Sequence, residues 1–227
     1  AVRVAHADGR DEVITFTELA ALSGRVASDL VARGVKPGER VAMMLEPSLA
    51  FNAALFGAMK MGAVAVPLFT LFGPEGLRLR MADCNPALLL LAPDKQDLAA
   101  EAGAEVVMAD DAWLAHVARL PVRAPIASRA DDMALYQYTS GTTRELPEAV
   151  KHRHRAIVTV AIAALYATGV RPGDRYMCPS SPAWGHGLWH GTLAPLGLGV
   201  SIAAYAGKFD AERLLEAIAD YRITNLS

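Results

Sequence analysis

Cysteine is scarce: Cys84 and Cys178, each inside an apolar stretch, are the only two in 227 residues. Two are too few for a secreted disulfide scaffold and ordinary for a protein kept in a reducing cytoplasm. An excess of positive charge is also missing, since 22 basic residues stand against 24 acidic ones and the net charge is −2. Such a balance supplies no field to hold a phosphate backbone, which argues against nucleic acid as a partner. No segment reaches the roughly 18 uncharged apolar residues of a membrane span, and even the stretch 61–73 is broken by Pro67. The opening Ala1-Val2-Arg3-Val4-Ala5-His6 is neither a charged leader nor an apolar signal core, and the first residue is not Met. The length is therefore expected to understate the natural protein. Glycine and proline, at 18 and 13, are too few for a collagen-like or low-complexity chain.

What is present is the composition of a globular protein. Hydrophobic residues make up 53% of the chain, and the mean hydropathy of +0.24 is far from that of a disordered segment. Short apolar runs alternate with amphipathic stretches. Strands are predicted over 13–16, 41–45, 64–66, 88–91 and 106–108. Between them, Thr17 is expected to cap a helix carrying Leu19, Leu22, Val26 and Leu30 and ended by Gly34. Pro47-Ser48 opens another through Met61, and helices over 74–83 and 96–102 follow. The implied class is α/β, a mostly parallel sheet with helices on its faces.

The stretch 121–129, with Pro125 and few large apolar residues, reads as a seam between a first subdomain, 1–122, and a second, 130–227. In the second, strands are predicted over 135–138, 176–178 and 200–205, helices over 152–168, 188–196 and 210–221, and a strand beginning at 223–226. The segment Gly34-Val35-Lys36-Pro37-Gly38-Glu39-Arg40 is echoed by Gly169-Val170-Arg171-Pro172-Gly173-Asp174-Arg175. Each follows a predicted helix and precedes a predicted strand, so the echo fits either duplication or a shared helix-stop and turn.

The most informative stretch is Tyr136-Gln137-Tyr138-Thr139-Ser140-Gly141-Thr142-Thr143-Arg144-Glu145-Leu146-Pro147-Glu148. A strand delivers four hydroxyl side chains around one glycine, with a helix expected a few residues later. Hydroxyls and backbone N–H groups can hold a phosphate, and Gly141 lets the backbone approach it. An ordinary Ser/Thr-rich turn has the same composition. No Gly-Lys-Ser/Thr follows at Walker A spacing, and no Gly-x-Gly-x-x-Gly turn of dehydrogenase type follows the first strand.

A second constellation is Ser180-Ser181-Pro182-Ala183-Trp184-Gly185-His186-Gly187-Leu188-Trp189-His190. It follows a strand and opens a helix, at the sheet edge where α/β proteins place ligands. Trp184 reads as core packing or as a ligand wall, and His186 as a structural hydrogen-bonding group or a functional one. His190 lies four residues on, and His152-Arg153-His154 forms another pair, but no carboxylate or Cys completes a zinc set at either. Cys178 reads as a buried strand residue.

Thr139-Ser140-Gly141-Thr142-Thr143, with Pro147, Val150, Lys151 and His152 after it, resembles the phosphate loop of AMP-forming acyl-CoA synthetases and their adenylating relatives. Phe16-Thr17-Glu18-Leu19, the stretch 34–44, and Met61-Gly62-Ala63-Val64-Ala65-Val66-Pro67-Leu68 resemble that family's amino-terminal landmarks, in the family's order. The resemblance implies layered, mostly parallel β-sheets flanked by helices. It also implies a cytoplasmic ligase that uses ATP, Mg²⁺ and coenzyme A to activate a carboxylic acid, with homo-oligomerisation and the acceptor thiol left open. By that likeness Thr139, Ser140, Gly141, Thr142 and Thr143 cradle the phosphates, Trp184 closes an acyl pocket in which Gly185 and Gly187 leave room, and His186 sits near the carboxylate. The pocket segment resembles that of medium-chain and aromatic members.

Two departures stand out. The family has Gly after the second Thr and Lys after Pro, whereas this chain has Arg144, one extra residue, and Glu148. Arg144, or Lys151, is expected to supply the missing positive charge. The family's later adenine-binding segment, ribose-binding Asp and carboxy-terminal domain with its catalytic Lys have no counterpart here. The chain is thus expected to be an amino-terminal portion that forms no acyl-adenylate alone. The alternative is a non-catalytic nucleotide- or partner-binding module derived from such an enzyme.

Overall fold

A computed structural model describes residues 1–138 and 148–227. In chain order the elements are β1 (Val2–His6), β2 (Asp11–Ile14), α1 (Phe16–Ala32), β3 (Arg40–Met44), α2 (Leu49–Lys60), β4 (Val64–Pro67), α3 (Pro74–Cys84), β5 (Leu88–Leu91), a 3-10 segment (Pro93–Glu101), β6 (Glu105–Met108), α4 (Asp111–Val117) and β7 (Met133–Tyr138). After residue 147 come β8 (Ala149–Arg153), α5 (Ala156–Tyr166), β9 (Arg175–Met177), a π-helical segment (His186–Leu193), α6 (Ala194–Gly197), β10 (Ser201–Ala206), α7 (Ala211–Asp220) and β11 (Asn225–Leu226). The expected α/β class is present, as two mostly parallel sheets flanked by helices.

One compact unit comprises Ala1–Leu19, Glu46–Leu49 and Arg155–Ser227. Its five-stranded sheet has the order β11-β9-β10-β1-β2, parallel except for the antiparallel edge strand β2. Ala5, Met177, Ala203, Tyr205, Ala217 and Tyr221 form a core cluster in it. The cap of α1 is Thr15 rather than the expected Thr17. The Glu18 carboxylate accepts the Thr15 N–H at 2.9 Å, and the Thr15 hydroxyl accepts the Glu18 N–H at 3.2 Å. This is a reciprocal capping box, legible in Thr15-x-x-Glu18. On α5, Val158, Ile162 and Tyr166 lie one turn apart and are all exposed.

The other unit comprises Ala20–Leu45 and Ala50–His154, with a six-stranded sheet of order β6-β5-β3-β4-β7-β8. All its pairings are parallel except β7 with β8. The buried run Leu88, Leu89, Leu90 and Leu91 is that of a strand covered on both faces. After β4 the chain crosses to the far side of β3 to form β5, so the strand order reverses beside β3. Ligands of open α/β sheets bind at the carboxyl ends of strands at such a reversal.

Two expectations are corrected. The helix expected over 152–168 is instead β8, two connecting residues and α5. β8 pairs with β7 by backbone while exposing Val150, Lys151 and Arg153, and a polar edge strand of this kind carries no apolar period. The strand β1 and the helix α4 are additional. Asp110 caps α4 by accepting the Trp113 N–H at 2.8 Å. The stretch 121–129 is bonded along its length. Ser28 donates to the Pro121 carbonyl at 2.7 Å, the Arg123 N–H to Gly24 O at 3.1 Å, and the Ile126 N–H to Lys60 O at 2.9 Å. This strap lies along α1 and α2.

Gly24 permits that docking: a Cβ there would stand 2.9 Å from the Arg123 carbonyl oxygen and 2.7 Å from Val122 Cγ1. Backbone cannot give way as a side-chain tip does, so Gly24→Ala displaces the strap. Cleavage by trypsin after Arg123 and Arg129 should rise on the order of tenfold, as a segment freed from its contacts opens locally. Limited proteolysis with mass analysis reads this directly, and unchanged cleavage would mean that the strap is held elsewhere.

The echoed turns have one structure. Glu39 accepts the Lys36 N–H at 2.8 Å, and Asp174 accepts the Arg171 N–H at 2.8 Å. The following arginines match as well. Arg40 Nε donates to the Cys84 carbonyl at 2.7 Å, beside Asn85, and Arg175 Nε donates to the Arg222 carbonyl. Asn85 and Arg222 are the two non-glycine residues at positive φ among the described residues, at 40° and 51°.

Candidate functional site

The phosphate-loop candidates Thr139, Ser140, Gly141, Thr142, Thr143 and Arg144 lie outside the described residues. Their flanks are described. β7 ends at Tyr138, at the carboxyl end of the parallel sheet, and Tyr138 faces Ala149 at the last rung of the β7–β8 ladder. Asp83, on the final turn of α3, meets both strands. Its Oδ2 accepts the Tyr138 hydroxyl at 2.6 Å and the Ala149 N–H at 3.2 Å. Burial, together with the Asp83 carboxylate, pushes the Tyr138 hydroxyl far above the ordinary phenol range, so it stays a donor. The Arg80 guanidinium lies 3.6 Å over the Phe72 ring centroid and 5.5 Å from that of Tyr138. Its Nη1 donates to Gly76 O at 2.8 Å.

Lys151 stands opposite Tyr136 with Nζ 5.4 Å from the ring centroid, and is exposed. It therefore brings a cation to the same hairpin end, at the cost of little desolvation. Burial lowers the affinity of its neighbour His152 for a proton. Two basic side chains, Arg80 and Lys151, thus lie by the rings of Tyr138 and Tyr136 on the last strand before residue 139. Sequence reading named Tyr138 only as part of the strand before the loop and missed Asp83 and Arg80, although the Asp83-Cys84-Asn85 helix end gave a place to look.

The second constellation belongs to the other unit. The Trp184 N–H donates to Ser181 O at 3.0 Å, and the Leu188 N–H to Trp184 O at 2.9 Å. A π-helical segment follows where an ordinary helix was expected. The Thr192 hydroxyl donates to Gly187 O, five residues back, at 2.9 Å, and π-turns recur at functional sites. Gly187 has a packing use of its own: a Cβ there would meet the carbonyl oxygens of Ser181 at 2.3 Å and Ser180 at 2.4 Å. Trp184 is 38% exposed. His186 and His190 stack with centroids 5.4 Å apart, and His186 Nε2 lies 2.8 Å from the Ser227 hydroxyl. Burial, and then the neighbouring His186, lower the His190 pKa and favour a neutral ring. Gly185 precedes the first π-turn in helical geometry.

Among the described residues, no three His, Cys, Asp or Glu side chains converge to hold a metal ion, and no helix is long and apolar enough to cross a membrane. Burial raises the pKa of both cysteine thiols, that of Cys84 to about 11, which keeps them protonated and poor nucleophiles.

Comparison with known proteins draws these features together. The model of the AMP-binding enzyme family matches residues 1–227. The chain belongs to that family. It is 30% identical over 226 residues to 3-hydroxybenzoate–CoA ligase of Aromatoleum sp. (strain CIB), covering 93% of this chain and 43% of the ligase. Against acetyl-coenzyme A synthetase of Bacillus subtilis (strain 168) the identity is 27%, over 89% of this chain and 38% of that protein. Among solved structures, an acyl-CoA synthetase of Brucella canis superposes with a TM-score of 0.91 at 27% identity, covering 100% of this chain and 44% of that one. The chain therefore spans less than half the length of these relatives. It corresponds to an amino-terminal portion of proteins of this family.

Proposed function

We propose that the protein carrying this chain activates an aromatic or medium-chain carboxylic acid with ATP and passes it to coenzyme A. The observation that carries this reading is the family match along all of 1–227, with a 3-hydroxybenzoate–CoA ligase among the relatives. A carboxylate oxygen attacks the α-phosphorus of ATP, giving an acyl-adenylate and releasing pyrophosphate. A thiolate sulfur then attacks the acyl carbon and AMP leaves. Neither step needs a nucleophile from the protein, so catalysis consists of positioning anions and neutralising the leaving pyrophosphate.

Thr139, Ser140, Gly141, Thr142 and Thr143 cradle the phosphates, and Arg144, aided by Lys151, replaces the cation that the family carries after its proline. Magnesium enters as the ATP complex. Trp184, Gly185 and Gly187 wall the acyl side, with His186 near the reacting carboxylate. The setting is cytoplasmic, where ATP and reduced coenzyme A are found. No aromatic-Gly-x-Thr-Glu segment follows Trp189 in these 227 residues, and the chain alone is expected to release no acid-dependent pyrophosphate. The exposed Glu148 favours a second reading, a non-catalytic module, because a carboxylate beside the loop repels phosphate.

Acid-dependent ATP–pyrophosphate exchange by the complete natural polypeptide, with benzoates and medium-chain acids in parallel, separates the two readings. Exchange is expected, with Arg144→Ala raising the ATP KM about tenfold or more and Lys151→Ala less. ATP binding without exchange by any acid would establish the module instead.

A further inference from the structure

The end of the β7–β8 hairpin is fastened to something other than its own ladder. A rung at the end of a ladder has ladder bonds on one side only and opens more readily than the rungs inside. Here one carboxylate oxygen from α3 accepts a hydrogen bond from each strand at that rung, from the Tyr138 hydroxyl at 2.6 Å and from the Ala149 N–H at 3.2 Å. The Tyr138 hydroxyl also lies 3.0 Å from the Arg80 carbonyl oxygen, one helical turn earlier on α3. α3 packs through Leu77, Met81 and Cys84 into a cluster with Ala42, Met44, Val66 and Leu89 of the parallel strands. The hairpin end is therefore tied to the body of the sheet. Tyr138 and Ala149 join the same cluster and are themselves buried.

We infer that Asp83 is a positioning residue for nucleotide binding: by gripping Tyr138 and Ala149 with one oxygen, it fixes the separation of the two strand ends from which the phosphate-binding residues are presented. This rests on the phosphate role proposed for 139–143. An anion site built from backbone N–H groups gains affinity when its geometry is set before the ligand arrives, because the ordering cost is then already met. Asp83 contacts no reactant and acts through its two donors. Both donors engage its charge, which limits the repulsion that a carboxylate would otherwise exert on phosphate.

Three variants test the assignment in the complete natural polypeptide: Asp83→Ala, Asp83→Asn and Tyr138→Phe. Asp83→Ala should raise the ATP KM in pyrophosphate exchange about tenfold or more, as expected for a misplaced binding loop, while the acid KM stays within about twofold. Asp83→Asn keeps an acceptor oxygen and should recover most of that loss, and Tyr138→Phe, which removes one of the two donors, should fall between. Amide exchange of Ala149 should accelerate in Asp83→Ala before any change in the interior of β7. An unmoved ATP KM in Asp83→Ala overturns the inference, as does a parallel rise in both KM values, which marks a disturbance not confined to the nucleotide site. An unsubstituted polypeptide that performs no exchange and binds no ATP overturns the proposed function and this inference with it. An active one with an indifferent Asp83→Ala variant overturns this inference alone.

Discussion

Asp29→Ala should lower the unfolding free energy of the chain by about 3 kcal/mol, a large share of the roughly 5–15 kcal/mol that holds a domain folded. Asp29 is 2% exposed, near the carboxyl end of α1. That is an unfavourable place for a negative charge, because the helix end is itself negative. The fold compensates with donors. Arg33 Nε donates to Oδ2 at 3.0 Å, Trp113 Nε1 to the same oxygen at 3.0 Å, and His116 Nε2 lies 3.5 Å from Oδ1. Truncation leaves a buried indole N–H without its acceptor and a guanidinium with Glu105, at 2.8 Å, as its remaining carboxylate. Asp29→Asn keeps an acceptor for Trp113 and should cost about half as much. Urea midpoints of the three proteins decide this, and equal midpoints would show that the network contributes nothing net.

Gly187→Ala should be nearly as costly, at about 3 kcal/mol, the upper range of overpacking penalties. The added methyl would lie against two backbone carbonyls, at 2.3 and 2.4 Å, and neither can rotate away. Relief requires the π-helical segment to lift from the strand-to-helix connection, which would shift Trp184 and the His186–His190 stack. Loss of exchange activity should therefore accompany the stability loss, with the acid KM rising more than the ATP KM. An ATP effect larger than the acid effect would contradict the assignment of this segment to the acyl side.

The α/β class was legible because parallel strands buried on both faces leave continuous apolar runs, as in 88–91, and helices between them leave amphipathic ones. What was not legible shares one physical cause. β8 is an edge strand with one neighbour, so its side chains are polar and its identity comes from pairing with β7 rather than from its own composition. The strap at 121–129 is held by backbone carbonyls and by the lack of a Cβ at Gly24, neither of which has an apolar signature. Asp83 is far from Tyr138 in sequence, and a helix-ending aspartate looks like any other until the hairpin is folded against it. The π-turn was read only as helix, because five-residue bonding changes register without changing composition. Family landmarks such as Thr139-Ser140-Gly141-Thr142-Thr143 were visible for the opposite reason, being local and contiguous.

The echoed turn at 169–175 also has a mechanical meaning. β11 is only two residues long and runs parallel to β9, so a pull on Ser227 along the strand loads its ladder in shear, every bond at once, rather than opening it like a zip. The same pull reaches Asp174, whose carboxylate accepts from Thr224 Oγ1 at 3.1 Å and Asn225 Nδ2 at 3.4 Å, and Arg175, whose N–H donates to Thr224 Oγ1 at 3.0 Å. A turn that serves elsewhere to end a helix and begin a strand thus becomes a force-bearing anchor, carrying tension from Thr224 and Asn225 into the second strand of its sheet.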